Sequence, residues 1–152
     1  MNTAAVPEGF RPLNLPNNPF IEANGPLYGR MDGDLFVLGF LCETKHCNPM
    51  MVCHGGMVAT LADMLLLLGT NIQTGLGQFL LTVSLDVDFV APVKLGDWLE
   101  GRTEVLRAGK SIIFSQGRMT VRGETVARVN AILKPSGKPL ADFTPGRYFA
   151  DA

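Results

Sequence analysis

The sequence predicts an α+β domain in which a mostly antiparallel sheet wraps around one long buried helix. The segment from about Gly56 to Thr70 carries apolar residues at helical spacing and is apolar nearly all round, which is typical of a buried helix. The segments after it are rich in apolar residues and separated by short turns. One of them alternates cleanly between apolar and polar residues, which is typical of a strand with one buried face.

The N-terminal thirty residues hold half of the ten prolines and show no sustained period. We therefore expect residues 1–30 to form an irregular arm on the domain, with at most a short turn of helix. A first strand is predicted from Asp34 to Glu43. Residues 44–53 form the next loop, in which Asn48-Pro49 favours a turn.

The long helix is predicted to begin at His54-Gly55-Gly56 and to end near Gly69 and Asn71. Its apolar stripe consists of Met57, Leu61, Met64, Leu65 and Leu68. The later strands are expected over residues 79–90, 98–106, 111–121 and 125–133. One domain is therefore predicted over 31–135, followed by a loosely ordered tail over 136–152.

Composition excludes several classes of protein. The chain is 47% hydrophobic and 18% charged, a surplus of apolar surface that favours an oligomer. The net charge is -1 and no basic cluster is present, so we expect no nucleic-acid partner. The apolar stretch from Met57 to Leu68 is too short and too polar to insert into a membrane. The start does not resemble a signal peptide, and three cysteines favour a reducing cytoplasm.

Asp63 is the first candidate for chemistry, because it lies in the middle of the apolar helix. A buried charge without a partner costs several kcal/mol, on the order estimated for buried ions. Such a carboxylate suits a general base, although a bond to a buried backbone group or exposure on one helix face would also explain it.

Gly55 and Gly56 are the second candidate, because backbone N–H groups are free at a helix start and the helix dipole is positive there. Such a site can hold an oxyanion. Gly55 and Asp63 are eight residues apart, about 12 Å along a helix axis. One small reacting group cannot touch both, so a shared role requires Asp63 from a second copy related by a two-fold axis.

The spacing of Asn48, His54-Gly55-Gly56 and Asp63, followed by an alternating strand, resembles the hotdog-fold thioesterase superfamily. The similarity is greatest to its phenylacetate-pathway (PaaI-like) branch and extends over most of the chain. It implies a hotdog fold of about five to six strands. It also implies an acyl-CoA thioesterase that assembles as a homodimer or homotetramer and needs no metal or other cofactor.

The resemblance also implies roles for individual residues. Asp63 would be the base or nucleophile that attacks the thioester. The Gly55 amide would polarise the thioester carbonyl, and Asn48 and His54 would position the thioester or the water. Ser84 would stand near Asp63 and hold the water.

Coenzyme A would contact Gly56 and the turn over residues 107–111, which contains Lys110 and Ser111. The resembling families usually have glycine in the loop before the histidine, where this chain has Met51-Val52-Cys53. That difference affects the loop or the acyl pocket.

Three other interpretations remain open at this point. His46, Cys47, Cys53 and His54 could bind zinc, although the spacing is unusual for a zinc site. The domain could bind acyl groups, or serve as a structural partner, without turnover. It could also be a hydratase of the same fold, although the His/Asp arrangement of those enzymes is not present. Methionines such as Met64 could line an acyl pocket or simply fill the core.

Overall fold

The computed structural model describes residues 5–141 and 143–149. It contains one seven-stranded antiparallel sheet, a short helix and a long helix. The helices are α1 (Pro19–Asn24) and α2 (Gly55–Thr74). The strands are β1 (Arg11–Pro12), β2 (Tyr28–Asp32), β3 (Leu35–Leu41), β4 (Gln78–Phe89), β5 (Trp98–Ala108), β6 (Ile113–Val121) and β7 (Glu124–Pro139).

The sheet wraps around α2 in the strand order β1-β2-β3-β5-β6-β7-β4. Helix α2 packs against β3 to β7, and the side chains of Leu61, Leu65 and Leu66 are completely buried. They meet inward-facing residues of the sheet such as Leu99 and Leu133. The α+β hotdog architecture predicted from the sequence is confirmed, with one short and one medium strand added at the N-terminal edge.

Helix α2 is 20 residues long and passes through both predicted end residues. Gly69 lies inside the helix, where Thr103 of β5 packs directly against it; a Cβ on Gly69 would lie 2.3 Å from the Thr103 Oγ1, so the position requires glycine. The helix ends instead at Gly75, whose φ of 64° is the left-handed conformation that glycine adopts without strain. The predicted end near Gly69 and Asn71 is therefore wrong.

By length and composition α2 could cross a membrane, yet 61% of its most apolar window is buried inside the protein. The core helix of a globular domain meets the same criteria, so this length and apolarity are weak evidence for a membrane span.

Strand β4 is an edge of the sheet, and its pairing with β7 shifts register at Val83. Such a β-bulge changes which residues face the helix. Before the bulge the inward residues have even numbers, as for Leu80 and Thr82; after it they have odd numbers, as for Leu85 and Val87. The alternation predicted over 79–90 is therefore interrupted in the middle of the strand.

The N-terminal arm and the C-terminal tail are more ordered than predicted. The arm over 1–30 contains β1, α1 and the start of β2, and β7 continues beyond the predicted boundary at 135. Near the C-terminus, Tyr148 and Phe149 are both buried, and Phe149 forms a β-bridge with Leu13 of the arm. Arm and tail thus pack together over one side of α2, because their apolar residues complete the core.

Candidate functional site

A cavity of about 620 Å³ runs along the exposed side of α2. We call it the long cavity. Its walls come from α2, from β4, from residues 14–21 of the arm and from Leu140, Arg147 and Tyr148 near the C-terminus. The helix contributes Gly56, Ala59, Thr60, Asp63, Met64, Leu67, Leu68 and Asn71. These positions recur every three or four residues, so they share one face of the helix. The wall between Asp63 and Asn71 is apolar.

Asp63 lies half-buried on this wall and is held by Thr82 of β4. The Thr82 hydroxyl donates a hydrogen bond of 2.5 Å to Oδ1 of Asp63. Charge-assisted hydrogen bonds of this kind are short and strong. Thr82 therefore fixes the orientation of the carboxylate, and Oδ2 accepts no hydrogen bond from the side chains of the described residues.

Ser84 was expected beside Asp63, and the structure does not place it there. Thr82 pairs with Leu133, which is buried, whereas Ser84 pairs with Ile132 beyond the bulge. Directly paired residues in an antiparallel ladder share a face of the sheet. Ser84 consequently lies on the outer face, and the β4 hydroxyl at Asp63 is that of Thr82.

The start of α2 combines a side-chain cap with a free backbone donor. His54 is the N-cap, and its Nδ1 accepts a 2.9 Å hydrogen bond from the Gly56 amide. Nδ1 of His54 is thus occupied and is not free to act as a base. The amide of Gly55 makes no hydrogen bond to any described residue. The first helical amide, with the positive end of the dipole behind it, is the group that suits an oxyanion.

Gly55 and Asp63 face different cavities of the same chain. Gly55 lines a second cavity of about 310 Å³ beside Phe89 and Val90, whereas Asp63 lines the long cavity. Their separation of eight residues corresponds to about 12 Å along the axis. The structure therefore does not bring these two groups together within one chain.

Asn48 shapes the loop that precedes α2. Its Oδ1 accepts hydrogen bonds from the amides of Met50, at 2.9 Å, and Val52, at 3.4 Å. Met51 between them has a φ of 59°, so this loop keeps a left-handed residue although it has no glycine there. Asn48 is half-buried and lines neither of the two cavities beside α2, so its amide does not reach Asp63 of the same chain.

His46 is buried, and both of its ring nitrogens contact the backbone. Nδ1 accepts a hydrogen bond from the Glu43 amide at 3.0 Å, and Nε2 lies 2.6 Å from the carbonyl oxygen of Asn24 at the end of α1. Burial lowers the pKa of this histidine below its ordinary value of 6.5. His46 therefore acts as a neutral clamp between α1 and the loop, with no free nitrogen for a zinc ion.

The predicted coenzyme A contacts lie apart from one another. Lys110 and Ser111 are exposed at the hairpin turn between β5 and β6, and neither lines the cavities beside α2. Gly56 lines the long cavity, but His54 caps its amide. Among the methionines of α2 and the loop before it, Met64 lines the long cavity, Met57 is buried in the core, and Met50 and Met51 are exposed on the loop.

Sequence reasoning missed Thr82 as the hydrogen-bond partner of Asp63, and Asn71 and Tyr148 as residues of the long cavity. Thr82 was missed because the apolar–polar alternation of β4 continues through the bulge, so the sequence gives no sign of the change of face. Asn71 was interpreted as the end of the helix, and Tyr148 as part of a loose tail. The extended helical period through residue 72 was the one available indication for Asn71.

Comparison with known proteins connects this geometry to a family. Residues 50–127 match the family model described as the thioesterase superfamily. A Pseudomonas aeruginosa protein to which esterase activity is attributed is 34% identical over 84% of this chain and 95% of its own. Human acyl-coenzyme A thioesterase 13 is 30% identical over 53% of this chain and 59% of its own.

Two solved structures are also similar. The PaaI protein from the phenylacetic acid degradation operon of Escherichia coli has a TM-score of 0.72 and 24% identity, over 82% of this chain and 89% of that chain. At that identity the likeness concerns the fold alone. A Bacillus halodurans protein crystallised with CoA has a TM-score of 0.65 and 28% identity, over 70% of this chain and 72% of that chain.

Proposed function

Because the chain belongs to the thioesterase superfamily, we propose that it hydrolyses an acyl-CoA thioester to a free carboxylic acid and coenzyme A. The observation that carries the proposal is the half-buried Asp63 on the wall of an apolar cavity, with one carboxylate oxygen held by Thr82. Similarity to human acyl-coenzyme A thioesterase 13 and to a structure that contains CoA supports the substrate class. Within the superfamily, the PaaI-like branch is our proposed placement.

In this mechanism Asp63 acts as a general base. Since Thr82 occupies Oδ1, Oδ2 is left to take a proton from water, whose oxygen then attacks the thioester carbonyl. The carbonyl oxygen gains negative charge, the carbon–sulfur bond breaks, and the thiolate of coenzyme A leaves and takes up a proton. A direct attack by Asp63 is the alternative. Turnover in water that contains heavy oxygen distinguishes the two mechanisms. Asp63 becomes labelled only if it attacks the thioester directly and water then attacks the aspartyl carbonyl of the intermediate.

The thioester carbonyl oxygen requires a hydrogen-bond donor. The free amide of Gly55 in the same chain lies in a different cavity from Asp63 and cannot supply it. We propose that the Gly55 amide of a second copy supplies it, across a two-fold axis that brings two α2 helices side by side. The exposed apolar edge of β4 supports this assembly, since Phe79, Val83 and Phe89 are each more than half exposed in the single chain.

The remaining expected roles stay within the proposal. In the assembled site, Asn48 and His54 would position the thioester or the water. Lys110 and Ser111, which are exposed on a hairpin turn, would meet the phosphates of coenzyme A bound mainly by another copy. We expect the reaction to need no metal or redox cofactor. We also propose that the protein is cytoplasmic, binds no nucleic acid and does not insert into a membrane.

Asp63→Asn tests the assignment of the base. We expect turnover of an acyl-CoA panel, read by release of free thiol, to fall by roughly a hundredfold to ten-thousandfold, the usual contribution of a general base. An unchanged circular dichroism spectrum and melting temperature would show that the fold is intact. Near-normal turnover in the folded variant would contradict the mechanism, and acyl-CoA binding without turnover by the unaltered protein would favour a non-catalytic acyl-binding domain.

Mixed assemblies test the shared site. Proline is tolerated at the first position of a helix and removes only the amide hydrogen, so Gly55→Pro takes away the proposed donor with little strain. Each of Asp63→Ala and Gly55→Pro alone is expected to be inactive. Subunits of the two variants, mixed and allowed to exchange, should recover part of the activity through one intact site. Verified exchange without recovery would contradict the cross-subunit site.

A further inference from the structure

The end of the long cavity away from Asp63 contains a buried polar group without a partner. Asn71 of α2 is 4% exposed, and its side-chain Oδ1 has no hydrogen-bond donor within residues 5–141 and 143–149. Its Nδ2 donates to the carbonyl oxygen of Gln78 at 2.9 Å. Because that neighbour can only accept, the orientation of the amide is fixed and Oδ1 is the free atom.

Most buried side-chain acceptors in folded proteins have a donor, so a free one requires an explanation. Asn71 lines the long cavity, and the helix side of the wall between it and Asp63 is apolar, with Met64, Leu67 and Leu68; Gln78 and Arg147 also line the cavity. An acceptor at the end of an apolar cavity is the arrangement expected where a ligand brings its own donor.

Tyr148 is the one neighbouring phenol among the described residues and lines the same end of the cavity. Burial raises the pKa of its hydroxyl, whereas the charge of the neighbouring Arg147 and, to a smaller extent, hydrogen bonding by the Asn71 side chain lower it. The phenol therefore stays neutral and can both donate and accept a hydrogen bond. Together the two side chains match a hydroxyl group, which also donates and accepts.

The distance between the two polar ends defines the size of the ligand. Asp63 and Asn71 are eight residues apart on one helix, which is about 12 Å along the axis. An acyl chain of medium length, lying along the helix with its thioester at Asp63, brings its last atoms to Asn71. A shorter chain would leave Asn71 out of reach.

We propose that Asn71 recognises a hydroxyl at the far end of the acyl group, so that the enzyme prefers medium-length acyl-CoA substrates with a terminal hydroxyl. This inference rests on the proposed thioesterase function. A plain chain of the same length places a methyl group against the Asn71 oxygen and leaves that oxygen unpaired, whereas a hydroxyl supplies the missing donor. A site built to bind a hydroxyl rejects the analogue that lacks it for this reason.

Matched substrates test the preference. The kcat/KM of the unaltered protein is measured for octanoyl-CoA and for ω-hydroxyoctanoyl-CoA, and we expect the hydroxylated substrate to be favoured about tenfold or more, within the range for discrimination by a polar contact. Butanoyl-CoA and ω-hydroxybutanoyl-CoA serve as the short control pair. They should show no preference, because their ends do not reach Asn71.

Variants assign the preference to Asn71. Asn71→Leu should bring the ratio for the octanoyl pair to about one or reverse it, with hydrolysis of octanoyl-CoA retained. Tyr148→Phe should keep most of the preference, because Oδ1 of Asn71 remains. General damage to the fold lowers kcat/KM for both members of a pair, and therefore leaves the ratio unchanged.

Each outcome has a separate meaning. Equal hydrolysis of the two octanoyl substrates by the unaltered protein overturns the inference and leaves the thioesterase function standing. A preference that emerges only in Tyr148→Phe also overturns it, since the phenol would then be the native partner of Asn71. Failure to hydrolyse any acyl-CoA is a failure of the proposed function itself. If Asn71→Leu does not fold, the two chain lengths still decide the question in the unaltered protein.

Discussion

At the scale of single residues, one hydrogen bond sets the geometry of the candidate base. The Thr82 hydroxyl, on the neighbouring strand β4, donates a hydrogen bond to one oxygen of Asp63. This bond restricts the rotation of the Asp63 side chain and so fixes the direction of its carboxylate. The sequence predicts the position of Asp63 because helical spacing is local. It does not predict Thr82, because the contact joins residues 19 positions apart across a bulged strand.

Thr82→Val is expected to lower kcat by roughly tenfold to a hundredfold. A hydrogen bond to a charged group contributes about 1.5–3 kcal/mol, and valine has the shape of threonine without the hydroxyl. Thr82→Ser keeps a hydroxyl and is the matched control, for which we expect a much smaller loss. Steady-state hydrolysis of one acyl-CoA by all three proteins checks this. A kcat for Thr82→Val equal to that of the unaltered protein would contradict the role.

His46 is predicted to make stability depend on pH. Its pKa is lowered in the folded state, so the unfolded chain binds the proton more readily. The stabilisation is fully present above the ordinary value of 6.5 and is lost as the pH falls below it, toward the lowered value in the folded state.

Urea unfolding between about pH 7 and pH 5 should show this loss in the unaltered protein. His46→Gln should show a smaller pH dependence, although its stability at neutral pH is lower. His54→Gln, at an exposed position, is the control and should keep the dependence of the unaltered protein. The same slope in all three proteins would show that His46 is not the titrating group.

At the scale of elements, packing overrides the local rules used to predict the helix end. Glycine and asparagine often end helices, yet α2 continues past Gly69, where glycine instead allows Thr103 to approach closely. The Thr103 hydroxyl also donates a 2.9 Å hydrogen bond to the carbonyl oxygen of Leu65, which ties β5 to the helix. The identity of α2 and of most of the strands follows from periodicity. The end of α2 at Gly75 fits the local rule for glycine caps, whereas the role of Gly69 in packing against β5 is not contained in any local pattern.

Gly69→Ala is expected to destabilise the fold by about 1–3 kcal/mol, the usual cost of overpacking. In an open helix the same change would stabilise by about 1 kcal/mol, so the sign of the effect is informative. Gly146→Ala is the control, because an added Cβ there has its nearest neighbour at 3.8 Å. Urea unfolding measures both variants, and a Gly69→Ala protein as stable as the original would contradict the close packing.

At the scale of the whole molecule, the single chain has an exposed apolar edge next to its candidate base. Strand β4 ends the sheet, and Val83 is 62% exposed in the middle of it. Exposed edges of this kind bind another strand or are protected by charge. Composition predicted an apolar surplus, and four of the exposed large apolar side chains, Phe79, Leu81, Val83 and Phe89, lie along β4. In our proposal this edge faces the second copy, so loss of assembly should also cost activity.

Val83→Lys is predicted to yield monomers with little activity, since a charge on the edge opposes pairing and separates Asp63 from the second copy's Gly55. Leu35→Lys, an exposed apolar position on β3, is the matched control and should remain assembled and active. Sedimentation equilibrium and thiol release are measured on the same samples. A Val83→Lys monomer that retains full activity would end the shared-site proposal.

The bulge at Val83 divides β4 into two sections with opposite phase. The first section serves the candidate chemistry through Thr82, and the second fills the core through Leu85 and Val87. Val83 is the extra residue at which the phase reverses, so pairing β4 as a regular ladder with Val83 retained would turn one section over and expose residues that now face the helix. Removing Val83 would instead leave both sections facing as they do now, so sequence alignments of this protein should allow a gap of one residue at this point.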